Sequence, residues 1–260
     1  MKRMKKFVLC ALVAMSAVSE AFAWGQKGHD IVAYVAECHL SRRAAKRITQ
    51  ALEGHSPVYY ANWMDNASHT PEYAYTSTWH YANVDEGFTY ETMPRNENGD
   101  VITALNDIIA RLRSGSLTPE EENTALRMLI HLMGDLHCPM HAGHKSDLGG
   151  NTVEVTFFGE KTRLHTIWDT HLVEAAHKWG YTEWQREIDR LPKAERQALC
   201  EGSLEEWFAE TVEICGRVYD EIPAGKNISY DEVARYAPVI EEQLLKGGLR
   251  LAAVLNSIYR

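Results

Sequence analysis

Twelve histidines occur in the 260-residue chain, none before His29, and several stand four residues from an aspartate. His131-Leu132-Met133-Gly134-Asp135 and His165-Thr166-Ile167-Trp168-Asp169 each place an imidazole and a carboxylate on one face of a helix. A single pair of this kind fits a surface pair or a buried hydrogen bond as well as a metal site. The repeat of the spacing, with His141 just beyond Pro139, favours metal. Trp63-Met64-Asp65 and Trp79-His80 add a carboxylate and an imidazole, each beside an indole that can wall off a site. Imidazole and carboxylate without thiolate suit zinc held for catalysis, since structural zinc usually recruits cysteine.

Residues 1–23 read as a cleaved signal peptide. Lys2, Arg3, Lys5 and Lys6 open it, an apolar run follows from Phe7 to Ala17, and small residues stand at Ala21 and Ala23. The run is shorter than the roughly 20 apolar residues that span a bilayer. Export to the periplasm or the medium is therefore expected, with no membrane attachment after cleavage. Trp24 would become the first residue, and its free amine would lie close in sequence to His29.

Cleavage leaves 237 of the 260 residues, one domain's worth, and takes the formal charge from -9 to -12. So acidic a chain has no global attraction for nucleic acid, so any such partner must be held locally and without a stable complex. Cys38, Cys138, Cys200 and Cys215 permit two disulfides in an oxidising compartment, with Cys200 and Cys215 nearest in sequence, or four free thiols.

Helical patterning dominates. Gly28 to Glu37 and the segment from Ser41 through Leu52 carry apolar residues at helical spacing. Thr118-Pro119-Glu120-Glu121 is a capping box that opens a helix ended by Pro139, and Ser229 to Glu232 repeats it before a long C-terminal helix. Leu244, Leu245, Leu249, Val254 and Leu255 form that helix's core stripe, with Gly247-Gly248 a weak point or a close contact. Trp184 to Tyr219 reads as two helices broken near Gly202. Thr152 to Phe158, a Gly159-Glu160 turn and Thr162 to Leu164 read as a hairpin. The expected fold is mainly α, a single-domain helical bundle with a small β-hairpin.

Taken together, these motifs resemble the trinuclear-zinc single-strand nucleases of the S1/P1 type, related in fold to bacterial zinc phospholipase C. The resemblance runs from Trp24-Gly25-x-x-Gly28-His29 through His131-x-x-x-Asp135-x-x-x-Pro139-x-His141 and Asp147-x-Gly149-Gly150-Asn151 to His165-x-x-x-Asp169. It continues into Gly248-Leu249-Arg250-Leu251-Ala252-x-x-Leu255-Asn256. It implies three Zn2+: one on Asp65, His80, His131 and Asp135, a second on His141, His165 and Asp169, and a third on the Trp24 amine and carbonyl, His29 and Asp135. It also implies a catalytic role for Asp65 and Asp135 with a zinc-bound water. Hydrolysis of single-stranded DNA or RNA to 5′-phosphate products, and of 3′-nucleotides, would follow in a monomeric enzyme.

By the same resemblance Tyr81 stacks on a base, ordinary core packing being the alternative, and Asn83 bonds its edge; Asn151, and more weakly Lys145, are the candidates for a phosphate or water contact. Stacking of this kind selects unpaired bases. Two positions depart from the pattern. Asn83 stands where fungal members carry an acid, and Ser68 where some carry an arginine. His137 and His144 match no ligand position and are assigned to helix-end hydrogen bonding or support of the ligands. Cys138 is read as packed or disulfide-bonded, and His39, His55, His69, His171 and His177 show no consistent spacing. A zinc phospholipase C and a non-catalytic exported zinc-binding protein are the alternatives. Asp169 in place of glutamate and the Gly-Gly-Asn motif favour the nuclease.

Overall fold

A computed structural model describes residues 24–260; the expected signal peptide and its cleavage site lie outside the described residues. Three helices form the frame. Helix α1 (Gln26–Cys38) lies along α12 (Tyr230–Ile258), and both pack on α6 (Pro119–Asp135). The contact between α1 and α12 depends on Gly248, where an added Cβ would stand 2.9 Å from the Val32 carbonyl and collide with Val35. Gly247-Gly248 is thus a close approach, and Leu244, Leu245, Leu249, Val254 and Leu255 are all buried beside it.

The start signals hold locally. Ser41 accepts from Ala44 N at the head of α2 (Arg42–Ala51). At Thr118 both halves of the capping box form, Thr118 Oγ1 accepting from Glu121 N and Glu121 Oε2 from Thr118 N. At Ser229 the backbone N donates to Glu232 Oε2 at 2.9 Å. Short helices α3 (Pro57–Tyr60) and α4 (Trp63–Ala67) follow α2. Next comes α5 (Val101–Ser114), whose cap is Asp100 bonded to Thr103 rather than to a glutamate, so the glutamate signature does not mark it.

The hairpin is present with its turn one residue earlier than expected. Strand β1 (Glu154–Phe157) pairs antiparallel with β2 (Glu160–Arg163), Phe157 opposite Glu160, leaving Phe158-Gly159 as the two-residue turn. Both turn residues have positive φ, as the right-handed strand twist demands of such a connection. A third strand, β3 (Asn227–Ile228), joins β1 in parallel. After β2 come α7 (Leu164–Thr166), a π-helical turn (Ile167–His171) and α8 (Leu172–Ala176).

The stretch expected as two helices holds three: α9 (Tyr181–Ile188), α10 (Lys193–Leu199) and α11 (Leu204–Glu221). Pro192, which lacks a backbone N–H, caps the start of α10 and prevents fusion with α9. The break near Gly202 is real, at a φ of 104°. The four cysteines among the described residues carry free thiols, and Cys138 and Cys215 are buried. Of the two sequence alternatives the structure adopts the unbridged one. No helix among the described residues is long and apolar enough to cross a membrane.

Buried Arg250 ties these helices to the end of α6. Its Nε donates to the Leu199 carbonyl (2.9 Å), Nη1 to His137 Nε2 (3.1 Å) and Nη2 to Glu210 (2.7 Å). His137 Nδ1 donates in turn to the Met133 carbonyl at 2.8 Å, the helix-end role expected of it. Burial and the nearby guanidinium push the His137 pKa down to about 3, which keeps the ring a neutral acceptor. Arg250→Met strands a buried ring nitrogen and a part-buried carbonyl, at a cost of about 2–3 kcal/mol. The expected outcome is a Tm lower by roughly 5–10 °C by calorimetry, at about 2–4 °C per kcal/mol for this size.

Candidate metal centre

The four residues expected around one ion meet in the interior. His131 Nε2 lies 3.2 Å from Asp65 Oδ1, 3.3 Å from Asp135 Oδ2 and 3.2 Å from His80 Nδ1, and His80 Nδ1 lies 3.0 Å from Asp135 Oδ2. Four donors each about 2.1 Å from one ion sit about 3.4 Å apart at the corners of a tetrahedron. These four separations lie near the edges of a tetrahedral zinc site, with the edge from His80 Nδ1 to Asp65 Oδ1 longer at 3.9 Å. They come from α4, the turn before Tyr81 and two successive turns of α6.

A second set gathers at the π turn. His165 Nε2 is 3.0 Å from Asp169 Oδ2, and His141 Nε2 is 3.8 Å from Asp169 Oδ1. Asp135 turns its other oxygen towards His29, with Oδ1 3.5 Å from His29 Nε2, and the His29 ring stacks on His131 at 4.0 Å. Asp135 thus serves two groupings of side chains at once. The third expected group includes Trp24, whose side chain is fully buried against Gly28; its neighbour Gly25 donates its N–H to the Asp169 carbonyl.

Backbone carbonyls set the imidazole tautomers. His131 Nδ1 donates to Ala61 O (2.7 Å), His165 Nδ1 to Gly149 O (2.6 Å) and His141 Nδ1 to His80 O. With Nδ1 given to a carbonyl, Nε2 is the nitrogen each of these rings turns to the cluster. The Asp147-x-Gly149-Gly150-Asn151 motif serves this end. Leu148, Gly149 and Gly150 all have positive φ, and a Cβ on Gly149 would stand 3.0 Å from the Met140 carbonyl. Asp147 holds the loop by accepting from Gly150 N and Tyr219 Oη.

Electrostatics argue for cations here. Asp65, Asp135 and Asp169 are 9 %, 0 % and 3 % exposed, an arrangement costly in an interior without opposite charge. Burial alone would raise the Asp135 carboxyl, but His131 and His141 outweigh it and hold Asp135 well below the usual carboxylate range. Asp65 is likewise held low by His131 against the opposing effect of burial. Burial wins at Asp169 and raises it despite His165. His29 falls to about 3, through burial first and then the neighbouring His131. Asp135 Oδ1, both His29 nitrogens and His141 Nε2 have no hydrogen-bond partner among the described residues. Buried polar atoms of this kind call for a missing partner, and the donor set of carboxylates and imidazoles fits zinc.

Cys138 contributes something the sequence spacing did not reveal: its thiol donates to Asp169 Oδ1 at 3.3 Å. It stands close enough to His141 and Asp169 to share an ion with them. Burial and the Asp169 carboxylate raise its pKa far above the usual thiol value, which keeps it a protonated donor rather than a thiolate ligand. Sequence proximity to Asp135 and His141 was the available signal for this contact.

A profile of the family described as S1/P1 nuclease matches residues 24–260. The chain belongs to the S1/P1 nuclease family. Among individual relatives it is similar to Nuclease S1 of Aspergillus oryzae, 26 % identical over 98 % of this chain and 98 % of that one. It is 28 % identical to Nuclease P1 of Penicillium citrinum, over 91 % of this chain and 98 % of the relative. Endonuclease 2 of Arabidopsis thaliana is 26 % identical over 94 % and 93 %.

In this S1/P1 nuclease a cleft of about 480 Å3 is lined by Tyr81, Asn83, Arg95 and Lys145, and Tyr81 directly follows His80 of the cluster. Ala82 N and Val84 N donate to the His141 and Ala142 carbonyls, so the segment runs extended with Tyr81 and Asn83 on one side. Tyr81 is half-buried and faces the cleft instead of joining the core. Asn151 Nδ2 donates to the Leu148 carbonyl within its own loop. Ser68 is buried, with Oγ donating to the Asp65 carbonyl at 3.0 Å, and so reaches no phosphate. Of the remaining histidines, His39 pairs with Asp189, His177 with Glu241, His144 stacks on Tyr219, His55 on Tyr59 and His171 on Phe157. Because the cluster draws on segments far apart in sequence, metal binding adds to folding free energy. Chelation should lower the melting temperature and zinc should restore it. A Tm indifferent to chelator would show that the cluster holds no structural charge deficit.

Proposed function

We propose that the protein, cut after Ala23 and exported, is a zinc-dependent enzyme that hydrolyses single-stranded DNA and RNA to 5′-phosphate products and acts on 3′-nucleotides. The observation that carries this reading is the near-tetrahedral spacing of Asp65, His80, His131 and Asp135 among buried side chains. His141, His165 and Asp169 would hold a second ion, and the Trp24 amine and carbonyl with His29 and Asp135 a third. Zinc bound there would neutralise phosphate charge and lower the pKa of an attacking water.

The chain's own groups divide the remaining work. Asp135, held ionised and turned both ways, fixes the distance between two of the groupings. Asp65 is the most open of the three carboxylates, borders a cavity and is also held ionised, so it is the acceptor for the water's proton. Tyr81 offers a ring face to an unpaired base, and Asn83 can donate to and accept from that base's edge. Asn151 keeps a second N–H for a phosphate oxygen after bonding Leu148. A duplex hides both base faces, which directs the activity to single strands.

The test uses protein that begins at Trp24, with single-stranded DNA, duplex DNA and phosphatidylcholine vesicles as substrates. Expected is zinc-dependent cleavage of the single strand, abolished in Asp135→Asn together with loss of bound metal. Lipid cleavage without nuclease activity would move the assignment to a phospholipase C, and a zinc-loaded protein inert on every substrate to a zinc-binding protein. Extra residues before Trp24 remove the free amine and are expected to reduce the zinc content by one ion per chain, read by metal analysis. A fully loaded, fully active extended form would refute the role of that terminus.

A further inference from the structure

Cys138 is fully buried and stands shortly after α6, immediately before the 3-10 turn (Pro139–Ala142) that carries His141. It touches three ligand-bearing segments at once. Its backbone N donates to the Asp135 carbonyl and its own carbonyl accepts from His141 N, both at 3.0 Å, while its thiol donates to Asp169 Oδ1 at 3.3 Å. Asp135, His141 and Asp169 therefore share one buried neighbour that the expected ligand set leaves out.

Among the described residues the Asp169 carboxylate meets the His165 ring, the His141 ring and the Cys138 thiol, and only the thiol is not an expected ligand. The two oxygens are divided between them. Oδ2 lies 3.0 Å from His165 Nε2, whereas Oδ1 lies 3.8 Å from His141 Nε2 and accepts from the thiol. His141 Nε2, on a ring 2 % exposed, has no hydrogen-bond partner among the described residues and so calls for an ion beside the same carboxylate. The χ2 torsion of an aspartate is soft, so two rings alone do not fix which oxygen faces that ion. A thiol is a weak donor, able to orient Oδ1 while drawing little charge from the carboxylate.

Resting on the zinc reading above, we infer that Cys138 is the positioning residue for Asp169: its thiol holds Oδ1 and leaves Oδ2, beside His165, as the oxygen given to the ion of the second grouping. One carboxylate oxygen rather than two then serves that ion, which keeps a coordination position free for water or phosphate.

Cys138→Ala and Cys138→Ser both remove the sulfur, but only serine keeps a donor. Zinc affinity is measured by competition with a chelating dye, and the Tm of the zinc-free proteins records the packing loss common to both variants. Cys138→Ala should weaken one of the bound zinc ions about tenfold or more, the loss usual when a ligand's outer partner is removed. Cys138→Ser should recover most of that affinity. The cobalt-loaded wild-type protein should show no sulfur-to-cobalt charge-transfer band. Equal zinc affinity in wild type and Cys138→Ala would overturn the inference, as would an equal loss in both variants, which reduces Cys138 to a packing residue. A sulfur-to-cobalt band would make Cys138 a ligand and overturn it too, whether or not either variant folds. Wild-type protein that binds no zinc would remove the zinc reading itself, and the inference with it.

Discussion

Three carboxylates inside one protein core are the constraint on which the structure turns. Asp65, Asp135 and Asp169 sit within a few ångströms of five imidazoles and out of reach of solvent, where an uncompensated charge costs several kcal/mol. The imidazoles offset part of that cost only if they are protonated, and their ring nitrogens converge on the centre, Nε2 from His131, His141 and His165 and Nδ1 from His80. Cations at the centre relieve both conflicts. The region then acquires local positive charge inside an acidic chain, which is how a protein of net charge -9 can attract a polyanion.

Rigidity around the cluster follows from the same need. The His131, His141 and His165 rings each depend on one carbonyl for their orientation, so the backbone at Ala61, His80 and Gly149 must not move. The Gly149-Gly150 turn, the π turn at Asp169 and the Arg250 network are three local solutions to that requirement. Arg250 lies far along the chain from Asp135 but steadies the turn after it through His137.

Much of the fold was legible because its signals are local. Capping at Ser41 and Thr118, the apolar stripe of α12 and the alternating hairpin depend on neighbours a few residues away. Strand β3 was not legible, since two residues pair with β1 some 70 positions earlier in sequence. The extra helix boundary at Pro192 and the cap of α5 by Asp100 and Thr103 involve residues whose turn and cap roles depend on context. The hairpin turn moved by one residue because strand twist places positive φ on Phe158 as well as Gly159.

For the site, the sequence by itself determined the donor types and the two i, i+4 pairs, because helical periodicity carries His131 with Asp135 and His165 with Asp169 onto shared faces. Only tertiary structure decided that Asp65, His29, His80 and His141 join them, and that Cys138 donates to Asp169. It alone revealed the cavity that Asp65 borders, which α1, α4, the π turn and α8 enclose together. Periodicity acts over one or two turns of a helix, whereas a cavity wall is set by the packing of elements whose order along the chain says nothing of their distance in space.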